Sequence, residues 1–286
     1  MNGELLSTQT EDGLTLHGML LHGEKPPNRG CDLLIFVHGV GSNFYQSSLI
    51  RKSWRLFAEA GISLLSINTR GHDFVFAGGM AKSQSWYGSA NEIVDECILD
   101  LDAWVNRASR LGFERISLYG HSLGAIKAVY SQSVKRNPAV QSVIAVSPSC
   151  LSCSYFQQSE RAEEFQTCLS WAEDQVEAGN SAQISEVTFP FRLMMSPRTF
   201  LDKYGPAERY NILNLVGRIT QPLCVVFGEL EVAGNNPAFE QLDQRIRPEI
   251  DPMENATLQL VSDADHYYSG VQNDLAHLVT DWVNKL

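Results

Sequence analysis

The pentapeptide Gly120-His121-Ser122-Leu123-Gly124 joins a short strand-like run, Arg115–Tyr119, directly to a helical stretch, Leu123–Lys135. A strand that enters a helix without a loop must turn so tightly that only small residues fit beside the bend. Gly120 and Gly124 supply that room. The turn lifts the serine clear of the sheet and leaves the Leu123 N–H unbonded at the positive end of a helix. Turns of this kind sit where the carboxyl ends of parallel strands meet a ligand crevice.

The rest of the chain has the matching rhythm. Leu5–Thr10 and Leu14–Leu21 alternate around Asp12-Gly13, which predicts an antiparallel hairpin. Asp32–Val37 and Ile62–Asn68 are solid apolar runs, as in strands covered on both faces. Ser48–Glu59 reads as the helix between them, stopped by Gly61. Over Asn91–Ser109 an apolar stripe of Ile93, Cys97, Leu101, Trp104 and Val105 recurs at helical spacing. After the pentapeptide helix, Val140–Val146, Leu223–Phe227 and Thr257–Val261 are strands, and a last helix spans about Gln272 to Lys285. Alternating β and α units predict an α/β fold with a mostly parallel, doubly wound sheet. The rhythm breaks between residues 150 and 212, a polar segment with helical runs such as Gln157–Cys168 and proline-marked turns at Pro190 and Pro197. Residues 1–149 and 213–286 are therefore expected to form the core, and 150–212 a helical cap inserted after the sixth strand. Its polarity predicts that this cap is more mobile than the buried strands.

Composition narrows the partners. With 33 acidic against 22 basic residues the net charge is −11, which opposes binding to nucleic-acid backbones or anionic membranes. Apolar residues make up 44% of the 286, enough for a large core. No run approaches ~18 apolar residues, so no membrane span is expected. Residues Met1–Thr10 lack the basic and apolar regions of a signal peptide. A cytoplasmic location with reduced thiols is the matching expectation. Cys150-Leu151-Ser152-Cys153 is a lone C-x-x-C without the second ligand pair a zinc site needs, and is read as packing.

The chemistry gathers at strand ends. A serine hydroxyl needs a base. Of seven histidines, His17 and His22 lie in the first hairpin, His38 and His121 flank backbone loops, His72 follows the fourth strand and His277 lies in the last helix. His266, just after the last strand, is the one placed to reach Ser122. An acid belongs between serine and histidine in chain order, and Phe227-Gly228-Glu229-Leu230-Glu231 follows the seventh strand. Glu231, Glu229 and a cap carboxylate such as Asp202 are the candidates. His38-Gly39-Val40-Gly41-Ser42 follows the third strand, and there the Val40 N–H can join that of Leu123 as an oxyanion donor. Trp86-Tyr87-Gly88, within the loop from Gly71 to Ser89, fits a pocket wall and surface packing equally well. Lys127, one turn into the serine helix, reads as a structural or solvated lysine. A small-molecule acyl substrate is implied, with neither metal nor organic cofactor. Oligomeric state is not legible.

The pentapeptide, the His-Gly loop, Asn68-Thr69-Arg70-Gly71-His72-Asp73 and Asp265-His266 resemble the α/β-hydrolase superfamily over nearly the whole chain. Arg70-Gly71-His72, Asp100-Leu101-Asp102-Ala103-Trp104, Gly120–Ala125 with Lys127, and Ser147-Pro148 resemble, more narrowly, a lid-bearing group that includes fungal siderophore ester hydrolases. The resemblance implies the α/β-hydrolase fold and carboxylic ester hydrolysis. It also favours Glu231, three residues after the glycine, as the acid. The chain departs from the commonest pattern in offering Glu there rather than Asp. A thioesterase, lactonase or acyltransferase would use the same triad, and a binding protein on the same fold would usually lack one of its members.

Overall fold

A computed structural model describes residues 3–28, 30–79 and 85–286. Eight strands make one sheet: β1 (Gly3–Gln9), β2 (Thr15–Leu21), β3 (Leu33–Val37), β4 (Ser63–Ile67), β5 (Ile116–His121), β6 (Val140–Val146), β7 (Leu223–Gly228) and β8 (Ala256–Val261). Their spatial order is β1-β2-β4-β3-β5-β6-β7-β8. The hairpin β1–β2 and the β2–β4 pair are antiparallel; every other neighbour is parallel.

Strand β3 shows why the sheet must be covered twice. Its five residues are all buried. Leu33, Ile35 and Val37 join the core on one face and Leu34 and Phe36 the core on the other, the alternation of a pleated strand. The first face packs α2 (Cys97–Arg110), through Leu101 and Trp104, and α3 (Leu123–Val134), through Ile126 and Val129. The second packs α1 (Ser48–Glu59), through Leu49 and Phe57, and the C-terminal helix Gln272–Val283, through Val279 and Trp282.

Between β6 and β7 the chain leaves the sheet. It forms a single turn Cys153–Phe156, α4 (Ala162–Glu177), a small hairpin pairing Ser185–Val187 with Leu193–Met195, and α5 (Pro197–Tyr204). The hairpin strands have three residues each, too short for a period to show. Pro197 does not mark a turn but opens a helix: Ser196 caps it by accepting from the Thr199 N–H, and proline fits the first turn, where an N–H has no partner to lose. A helix after β7, α6 (Leu242–Ile250), escapes the sequence pattern because Pro248 lies inside it. Its signal was the four-residue spacing of buried Leu242, Ile246 and Ile250. Among the described residues no helix is long and apolar enough to cross a membrane.

Candidate active site

Ser122 sits between β5 and α3 with φ 57° and ψ −124°, a conformation L-residues rarely adopt. Its flanks leave no alternative to glycine. A Cβ on Gly120 would lie 2.2 Å from the Gly124 carbonyl oxygen, and one on Gly124 would lie 2.1 Å from that of Val37. The Ser122 N–H bonds the Val146 carbonyl at 2.9 Å, which ties the turn to β6. Gly39 passes so close that a Cβ there would stand 3.1 Å from the Ser122 Cβ. The loop after β3 therefore runs directly over the serine. Among the described residues neither the Val40 N–H nor the Leu123 N–H has an acceptor.

His266 lies in the loop after β8. Its Nδ1 stands 2.5 Å from Oε1 of Glu231. That bond places the proton on Nδ1 and leaves the Nε2 lone pair free. The ring stands between two others, 4.7 Å from His121 and 4.6 Å from Phe239, centroid to centroid. His121 donates from Nε2 to the His266 carbonyl at 2.8 Å. Burial, helped by neighbouring His266, pushes His121 down to about 3, so it is neutral around pH 7.

The two glutamates after β7 are separated by a single turn of helix, Glu229–Val232. Glu229 is exposed and Glu231 buried. Oε2 of Glu231, the oxygen turned away from His266, accepts from the Ser147 hydroxyl at 2.6 Å, and Ser147 in turn meets the Tyr268 hydroxyl at 3.0 Å. Asp202 lies elsewhere, accepting from the Val94 N–H at 2.8 Å and the Tyr210 hydroxyl at 2.9 Å.

Ser122, His266, Glu231 and Val40 line one cavity of about 780 Å³. Its walls are largely apolar, from Phe74, Phe191, Leu193 and Phe239, with Gln46 and Asn236 as uncharged polar groups. Phe191 and Leu193 come from the inserted segment. Leu123 lines a small chamber of about 20 Å³ that shares Val40, Ser122, Phe191 and Phe239 with the main cavity.

Some of these residues were not legible. Ser147 stands out in the sequence only within the Ser147-Pro148 pair, although its place at the end of β6, beside β7, puts it next to any acid on the β7 loop. Phe74, Phe191 and Phe239 stand on loops, where no period marks a wall residue. Trp86 is exposed and does not line the cavity; Phe74 does so instead, and residues 80–84 of that loop lie outside the described residues. Lys127 is fully buried. Cys150 and Cys153 are buried free thiols, and the Cys150 sulfur accepts from Arg245 at 3.4 Å. No group of His, Cys, Asp and Glu among the described residues is arranged to hold a metal.

The molecule is similar throughout its length to solved structures. One is the α/β hydrolase GrgF from Penicillium sp. sh18, at 18% identity, covering 100% of this chain and 99% of that one with a TM-score of 0.72. The fold is that of the α/β hydrolases. DcsB in complex with its substrate analogue shares this α/β-hydrolase fold at 13% identity, covering 99% of both chains with a TM-score of 0.70. The Pyrococcus furiosus esterase Pf2001 shares it at 19% identity, covering 99% of this chain and 88% of that one with a TM-score of 0.62. No family model and no curated protein sequence matches the chain.

Proposed function

We propose that this α/β-hydrolase fold carries a serine hydrolase that cleaves a carboxylic ester of a small, uncharged molecule. The observation that carries the reading is the His266–Glu231 bond of 2.5 Å, opening on the cavity that Ser122 also lines. In this reading His266 Nε2 takes the Ser122 proton as Oγ attacks the carbonyl carbon. Negative charge moves to the carbonyl oxygen, which the Val40 and Leu123 N–H groups receive. The C–O bond to the leaving group then breaks, and His266 returns the proton to the departing alcohol. Water attacks the acyl-enzyme by the same route and regenerates Ser122. Glu231 stabilises the imidazolium formed at each attack, held in turn by Ser147.

The cavity supports the substrate class. Among the described residues its ionisable wall groups are His121, Glu231, His266 and Tyr267, and none of them is a lysine or arginine that would pair an anionic substrate. The segment 150–212 serves as a cap, since its Phe191 and Leu193 form part of the wall. Six buried free thiols suit a reducing compartment such as the cytoplasm.

Fluorophosphonate labelling tests the reading, because it needs an activated serine and no particular substrate. The purified protein should label at Ser122, and Ser122→Ala should not label. Ser122→Ala should also lose on the order of 10³-fold or more in kcat on the best of a panel of esters, thioesters and lactones. A protein that binds such compounds but neither labels nor turns them over is a binding protein on this fold.

A further inference from the structure

We infer that Lys127 is a positioning residue that aims the Val40 N–H at the developing oxyanion, through Thr69 and His38. The inference rests on the reading above, in which that N–H receives the oxyanion.

Lys127 Nζ is wholly buried, 2.5 Å from Oε1 of Glu92, whose Oε2 is 3.2 Å from Nζ of Lys203. Lys203 belongs to α5, so the inserted segment supplies one of the three charges. Two ammonium groups against one carboxylate leave the cluster with a net positive charge. Burial alone would raise the Glu92 carboxyl, but the two lysines outweigh it and bring it down to about 2. Stability does not explain such a cluster, because buried ion triads can often be replaced by apolar side chains without loss.

The remaining contact of Lys127 gives the cluster a task. Nζ donates to Thr69 Oγ1 at 2.9 Å. With that lone pair occupied, the Thr69 hydroxyl proton is directed at His38 Nε2, 3.2 Å away, which also accepts from the Thr69 N–H at 3.2 Å. Nε2 is thereby fixed as an acceptor, so the His38 proton must sit on Nδ1. From there it donates to the Gly39 carbonyl at 2.8 Å. Burial, reinforced by the Lys127 charge, pushes His38 down to about 3, so the ring stays neutral. The last step is covalent geometry. Gly39 C=O and Val40 N–H belong to one planar trans peptide and point in opposite directions. Holding the carbonyl on His38 turns the N–H away from it, on the loop that passes over Ser122.

Two variants of the whole protein test this. Thr69→Val removes the hydroxyl arm of the relay, keeping the Thr69 N–H on Nε2 and all three charges in place. Lys127→Met/Glu92→Leu/Lys203→Met removes the cluster without stranding a charge. In both, kcat on p-nitrophenyl acetate should fall roughly 10- to 100-fold with KM within about twofold, since the donor acts in the transition state. Nitrogen NMR of His38 should report the Nδ1–H tautomer in the parent, with the Nε2 resonance displaced in the variants as the hydroxyl bond is lost or weakened. Thr69→Val alone decides the matter if the triple variant does not fold. A folded Thr69→Val with the parent kcat overturns the inference, whatever its Nε2 resonance. A protein that shows the Nε2 displacement between parent and variants but never labels at Ser122 overturns the hydrolase reading instead.

Discussion

Glu229 and Glu231 stand two positions apart, and one turn of helix separates their fates. Residues at that spacing lie about 200° apart around a helix, so one can face solvent while the other faces the core. Glu231→Gln keeps the shape but lets the amide present a donor to His266 Nδ1, which favours the wrong tautomer. The expected loss is up to ~10⁴-fold in kcat, as in other triads. Glu229→Gln should stay within about threefold of the parent, as a surface change away from the site. Steady-state kinetics on both variants check this, and a larger loss in Glu229→Gln would pass the role to Glu229. The triad candidates were legible because each comes soon after a strand: Ser122 after β5, Glu231 after β7, His266 after β8. What supports them was not. Ser147 and Tyr268 matter only through where β6 and β8 bring them, and a single sequence carries no trace of that meeting. Lys127 was visible as a residue, but its burial depends on Glu92 and Lys203, which are 35 residues before it and 76 after it.

At the scale of elements, legibility followed burial. Strands with apolar residues at every position, and helices with one clean stripe, fell within a few residues of their observed ends. The inserted segment was harder, because most of its elements are short and they pack on one another, as Phe165 does on Phe156, Phe189 and Phe200, rather than on the sheet. Its polarity predicted mobility throughout, whereas the structure divides it. Helix α5 is pinned to the core: the Ser196 N–H bonds the Ala90 carbonyl at 2.8 Å, Asp202 accepts from Val94, and Lys203 meets Glu92. The stretch 178–186 is mostly exposed. Hydrogen exchange should therefore be fast over 178–186 and slow over Phe200–Tyr204, approaching the rates of β3. Equally fast exchange over both stretches would mean that the α5 contacts do not hold in solution.

For the molecule as a whole, the two buried histidines set how stability responds to acid. His38 and His121 both titrate near 3 in the folded state, against an ordinary value of 6.5. Between those limits the unfolded chain binds two protons that the folded chain refuses, so stability rises with pH through the window. The contribution is complete above about pH 6.5 and is lost as pH falls below it, with a slope of about 1.4 kcal/mol per pH unit for each histidine. Glu92 adds a second loss lower down, between its ordinary value of 4.5 and its folded value of about 2. Denaturant unfolding should accordingly show a flat plateau from pH 7 to 8 and a decline that begins near 6.5, well before ordinary carboxylates protonate. His121→Asn should remove one proton from that linkage and roughly halve the slope between pH 6 and 5. A parent stability that stays level down to pH 4.5 would show that His38 and His121 accept protons without unfolding. In that case the neutral His38 assumed by the relay to Gly39 would no longer hold under acid, and kcat should fall with the protonated fraction.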